Sequence, residues 1–168
     1  HYERGFPDYT TAAERSAAAA SGLSIRSVFG HIVPDYPRLL RLGLTGILAE
    51  AQTQRPLAQG AEEVAFLDAV EVALQAVIAY AERLADHCGR AVLGCYDCGG
   101  GDPVRADELR QMAANLHVIA SGAPQTFWQA LQAVWLLHMI FHSTMNGNAM
   151  GRLDQYVWPY LQADLATG

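Results

Sequence analysis

The chain reads as a mainly α-helical protein, and three observations carry that reading. Leu67, Val70, Leu74, Val77, Ala81, Leu84 and Cys88 follow a three-four spacing that lays one apolar stripe along a helix. Asp102-Pro103 pairs an acceptor side chain at an N-cap with proline at the first helical position. The segment from Phe127 to Phe141 is apolar almost all round, the pattern of a helix buried on several sides. Only near 143–153 do Ser, Thr, Asn and Gly crowd in, so a short extended or looped segment is expected there.

Taken in order, the helical portion is expected over about 8–142. A helix begins at Pro34 or just after, with Leu40, Leu44, Ile47 and Leu48 on one face, and Pro56 closes it. Gly43 and Gly46 lower its intrinsic stability, so packing must hold it. The long striped helix runs from about Ala61 to Cys88, and Gly89 is expected to end it in the left-handed conformation. Gly99-Gly100-Gly101 mark a loop before the Asp102 helix, which reaches about Ala120 and carries Asp107 and Glu108 in its early turns. Pro124-Gln125-Thr126 opens the central helix. If Arg152 and Asp154 lie on extended chain, the period of two puts both side chains on one face, whereas on a helix they diverge.

At 168 residues the chain is long enough for one domain with a core and too short for two full ones. A net charge of -6, from 17 acidic and 11 basic residues, argues against nucleic acid or an anionic membrane surface as the main partner. Three cysteines, an odd number, suit a reducing cytoplasm better than a disulfide scaffold. The stretch from Ala130 to Phe141, interrupted by Gln132 and His138, is shorter than the ~20 residues a bilayer span needs, so a soluble protein is expected. The chain opens at His1 without a methionine and stops at Gly168, which reads as a piece of something longer.

Three separated motifs then point further. Gly30-His31-Ile32-Val33-Pro34-Asp35-Tyr36 is followed by Leu39 to Ile47; Thr126-Phe127-Trp128-Gln129-Ala130-Leu131-Gln132 leads to Trp135 and His138; and Gly151-Arg152-Leu153-Asp154-Gln155-Tyr156 runs on to Pro159-Tyr160. In this order and spacing, over about residues 24–168, they resemble the amino-terminal half of glycyl radical enzymes of the pyruvate formate-lyase type. The resemblance implies that the chain is the helical amino-terminal layer of an α/β barrel, with residues 143–168 forming the start of a barrel strand and the helix after it.

His31, on a constrained turn just before a helix, resembles the histidine that contacts a substrate hydroxyl or carboxylate in dehydratase-like members; the plainer reading is a half-buried structural histidine. Arg152 and Asp154 are the other candidate substrate-binding residues, although the residues alone favour the plainer reading that they hold a barrel strand to its neighbours through charged hydrogen bonds. At position 149 many members carry serine and this chain has Ala149, which argues against borrowing a glycerol or diol substrate and leaves Asn146 and Asn148 as the nearest polar side chains. Cys95-x-x-Cys98 beside His87 and Cys88 lacks a second ligand pair, and His138 with His142 lacks a third ligand, so no metal site is expected.

The resemblance implies a radical lyase or dehydratase that cleaves a C-C, C-O, C-N or C-S bond of a small polar substrate. It implies no catalytic residue in this chain and no cofactor bound by it: the glycyl radical would sit in a carboxy-terminal part, installed by an S-adenosylmethionine radical activating enzyme. The expected partners are the small-molecule substrate, the rest of the barrel, the activating enzyme and further copies in a homo-oligomer, with no nucleic acid or membrane. The alternative is a self-contained helical interaction or assembly module derived from such an enzyme, without catalysis. The two differ in one visible respect: a module covers the apolar central helix, and an enzyme piece leaves it exposed.

Overall fold

The computed structural model describes residues 11–20, 32–97, 102–144 and 147–167, and among them every regular element is a helix. The helices are α1 (Ala12–Ala20), α2 (Tyr36–Gln54), α3 (Ala61–Asp97), α4 (Pro103–Ser121), α5 (Phe127–Thr144) and α6 (Leu153–Thr167). The chain divides into two compact units. One comprises His1–Pro34 with Leu137–Gly151, the other Asp35–Leu136 with Arg152–Gly168.

The larger unit is built around α2, α3 and α4. Asp35 caps α2 by accepting from the Arg38 amide at 3.0 Å, and a 3-10 turn at Arg55–Leu57, carrying Pro56, closes it as expected. Inside α2, Gly43 leaves helical geometry at φ 67 and ψ 173. A Cβ there would stand 2.4 Å from the backbone carbonyl of Gly122, so only glycine lets α2 cross the turn after α4 this closely. The Thr45 hydroxyl also donates to the Ser121 carbonyl at 3.3 Å across the same crossing.

Every member of the expected α3 stripe is buried or half-buried, with Ala81 and Cys88 in the core. The helix nevertheless continues beyond Gly89 to Asp97, contrary to the expected stop. Ala85, Cys88 and Val92 keep the same face buried, so continued packing outweighs the roughly 1 kcal/mol that a helical glycine costs. Asp102 caps α4 through the Arg105 amide at 3.0 Å, the start that Asp102-Pro103 predicts.

Helix α5 opens with a reciprocal capping box: the Gln129 amide donates to the Thr126 hydroxyl and the Thr126 amide to Gln129 Oε1, each at 3.3 Å. Asp164 of α6 adds a carboxylate acceptor for the Phe127 amide at 2.9 Å. Buried Asn115 of α4 donates to Gln132 Oε1 at 3.0 Å and accepts from Gln111 at 2.8 Å, while Gln132 donates to the Met112 carbonyl at 3.0 Å. This paired polar chain fixes one register between α4 and α5. Ala130, Ala133, Val134 and Leu136 bury one side of α5, but Trp128 is 58% exposed and Trp135 is 63% exposed. The central helix is therefore covered on one side only.

In the smaller unit, Thr11 and Glu14 form a second capping box at the start of α1, with bonds of 2.7 and 3.2 Å. Helix α5 extends to Thr144, so the non-helical stretch expected near 143–153 is confined, among the described residues, to 147–152. Its Ala149 amide donates to the Ile32 carbonyl at 3.0 Å.

Candidate functional site

The starts of α2 and α6 come together in the larger unit. Tyr36, the first residue of α2, is buried with its ring 5.9 Å from that of Tyr156 at a tilt of 37°. One turn further along α6, the Tyr160 hydroxyl donates to the Leu40 carbonyl at 2.9 Å. Burial, and secondarily the neighbouring Tyr156, pushes the Tyr36 phenol up to about 12. Burial also raises Tyr156 and Tyr160, so all three stay protonated at neutral pH, the form in which Tyr160 donates to Leu40. Sequence reasoning assigned these tyrosines no role. The signal that was available is their spacing, because Tyr156 and Tyr160 are four apart and share a helix face.

Arg152 and Asp154 stand at the exposed start of α6. The guanidinium meets the carboxylate in a two-pronged pair, Nε to Oδ1 at 3.2 Å and Nη2 to Oδ2 at 3.1 Å, with side chains 68% and 70% exposed. They converge without the extended chain that a period of two requires: Arg152 sits in the bend before Leu153, and its carbonyl accepts the Gln155 amide at 3.0 Å. The hydrogen bond to Arg152 holds the Asp154 carboxyl below its usual range, and the same bond raises the guanidinium. Asp154 also lies in the first turn of α6, where the helix dipole favours a negative charge. The pair presents spare guanidinium N–H donors and carboxylate acceptor positions to an incoming polar group.

The segment just before this pair is shaped by two glycines with positive φ, Gly147 at 84° and Gly151 at 66°. A Cβ on Gly151 would lie 2.8 Å from Val33 Cγ1, and between the glycines Asn148 is buried. With the Ala149 to Ile32 bond, this holds Ile32 and Val33 alongside Ala149 and Gly151 within the smaller unit. His31 itself lies outside the described residues, as do Cys98 and Asn146, and of the Cys95 side chain nothing is described.

Cys88 is a buried free thiol on the α3 stripe. The His138 and His142 rings meet edge to face at 4.5 Å. Burial, then the charge of His142, lowers His138. Among the described residues, no three or more His, Cys, Asp or Glu side chains gather as a metal would require.

A family profile described as pyruvate formate lyase-like matches residues 1–168. The chain belongs to the pyruvate formate lyase-like family. It is 34% identical over 142 residues to the probable dehydratase YbiW of Escherichia coli, covering 80% of this chain and 17% of that protein. It is 33% identical over 144 residues to the (2S)-3-sulfopropanediol dehydratase of Klebsiella oxytoca, covering 81% of this chain and 17% of that protein. The crystal structure of a glycyl radical enzyme from Archaeoglobus fulgidus superimposes with a TM-score of 0.74 at 28% identity, over 83% of this chain and 18% of that one. This pyruvate formate lyase-like chain thus has the helical fold of part of a glycyl radical enzyme, and it spans about a sixth of the length of the curated relatives it matches.

Proposed function

We propose that this chain is the helical amino-terminal layer of a glycyl radical lyase or dehydratase, and that it contributes substrate contacts to a reaction whose radical residues lie elsewhere in the enzyme. The glycyl radical, when present, supplies hydrogen-atom abstraction that starts bond cleavage. What this chain supplies is binding and shape. The Arg152–Asp154 pair offers charged donors and acceptors to a small polar substrate, and His31 enters on its sequence motif alone as a further candidate hydrogen-bonding group. The tyrosines at the α2 and α6 starts hold the two motif segments in register.

One observation carries the choice of an enzyme portion over a self-contained module: the uncovered side of α5. Trp128 and Trp135, seven residues apart and so two turns along one face, are both more than half exposed while the opposite side is packed. A finished module would bury two tryptophans of this size, each worth about 150–250 Å² of contact surface. The relatives named dehydratases favour elimination of water among the possible cleavages, although Ala149 in place of the family's common serine separates this substrate from simple glycerol or diol analogues.

The test uses the full-length enzyme carrying Arg152→Ala, with the glycyl radical installed anaerobically. Normal radical content by spin resonance, together with loss of substrate turnover, supports a substrate contact at this pair. Unchanged turnover removes Arg152 from the site.

A further inference from the structure

Helix α2 does not run straight, and one ion pair shows how sharply it bends. Arg38 and Glu50 are 12 residues apart, which in a continuous helix puts them about 18 Å apart along the axis and about a third of a turn around it. Their side chains nevertheless meet, Arg38 Nη2 donating to Glu50 Oε2. The helix therefore bends back at Gly43, where φ 67 and ψ 173 leave helical geometry, into arms of residues 36–42 and 44–54. The second arm is anchored beside α3 and α4: Leu44 and Ala51 are buried, and Thr45 donates to the Ser121 carbonyl. The first arm carries α6, through the Tyr36–Tyr156 ring contact and the bond from Tyr160 to the Leu40 carbonyl.

A glycine permits a bend without fixing its angle, because many backbone conformations are open to it. Apolar packing inside the angle does not fix it either. Between Arg38 and the second arm a cleft of about 430 Å³ remains, and the face that Arg38 reaches across it is small or polar, with Gly46, Ala49 and Thr53 beside Glu50. The ion pair is what spans that cleft. Both side chains are 47% exposed, so the pair adds little to stability. What it does is select one separation of the arms.

We propose that Arg38 and Glu50 are positioning residues for the site at the start of α6. Their pair is a clasp across the Gly43 elbow: it sets where the first arm stands against the α3 and α4 scaffold, and with that arm Tyr156, Tyr160 and the Arg152–Asp154 pair. Arg152 follows α6 because its carbonyl accepts the Gln155 amide at 3.0 Å. The effect on turnover rests on the reading of Arg152 as a substrate contact; the setting of the arm does not.

The test uses the full-length enzyme, with backbone hydrogen exchange followed by mass spectrometry and turnover measured after anaerobic radical installation. Arg38→Glu and Glu50→Arg should each speed exchange in peptides covering 36–42 and 153–160 by about threefold or more, leave α4 unchanged, and barely move the thermal melt. Each should lower kcat/KM about tenfold, chiefly through KM, with normal radical content by spin resonance. Combining the two exchanges should restore both readouts, which a general loss of packing would not allow. Arg38→Gln, which removes the charge without adding repulsion, should act in the same direction and more weakly. Unchanged exchange in 36–42 and 153–160 for the single variants overturns the clasp, and so does a double variant as impaired as the singles. Faster exchange with unchanged kcat/KM, in an enzyme that loses turnover on Arg152→Ala, overturns the positioning role. If Arg152→Ala leaves turnover intact, the substrate-contact reading fails by itself, and the exchange pattern still decides the clasp.

Discussion

The Tyr160 hydroxyl donates a 2.9 Å hydrogen bond to the main-chain carbonyl of Leu40, 120 positions earlier in the chain. Three residues beyond Leu40 the helical dihedrals of α2 break at Gly43, interrupting the regular ladder of donors, and the phenol meets the carbonyl at that point. Tyr160→Phe keeps the ring and deletes the donor. It should cost about 1 kcal/mol in urea unfolding, with little change in the slope of the transition. A variant as stable as the wild type would mean that water replaces the phenol at no cost.

Gly43 and Gly89 should respond to alanine in opposite directions. Gly43 has φ 67, and an added Cβ would meet Gly122 backbone at 2.4 Å, so Gly43→Ala should lose at least about 3 kcal/mol or fail to fold. Gly89 is helical and faces open space within 4 Å, so Gly89→Ala should gain roughly 0.5–1 kcal/mol. Thermal melts of the two variants beside the wild type measure both.

The contrast between these glycines shows what was legible in the sequence. Spacing and caps are local, and they located α2, α3, α4 and the start of α5 from Asp102, Thr126, Pro56 and the Leu67 to Cys88 stripe. Gly89 misled because a glycine at a plausible helix end and one in a continuing helix look alike until Val92 is known to pack. Arg152 and Asp154 were legible as a pair, but the bend and helix start that join them depend on α6, whose Pro159 argued for no particular boundary. The exposure of Trp128 and Trp135 was beyond periodicity, which marks a face as apolar without saying what covers it.

Alkaline pH should weaken the larger unit through Tyr36. Its phenol is raised from 10.0 to about 12 by burial, so the folded state holds the proton more tightly than the unfolded state does. The contribution is fully present below pH 10 and is lost as pH rises through about 12. Unfolding free energy followed by fluorescence across this window should fall, and Tyr36→Phe should flatten that fall. A Tyr36→Phe profile that drops as steeply as the wild type's would assign the alkaline loss to other groups.

The central claim is that this chain shapes a radical enzyme's substrate site without holding the radical. Anaerobic spin resonance of the 168-residue chain, incubated with the activating enzyme and S-adenosylmethionine, tests it most directly, beside the full-length enzyme treated identically. The account predicts a glycyl radical doublet from the full-length enzyme and none from this chain, because hydrogen transfer needs a glycine and a cysteine held within reach of each other and of substrate. A doublet from this chain alone would contradict it.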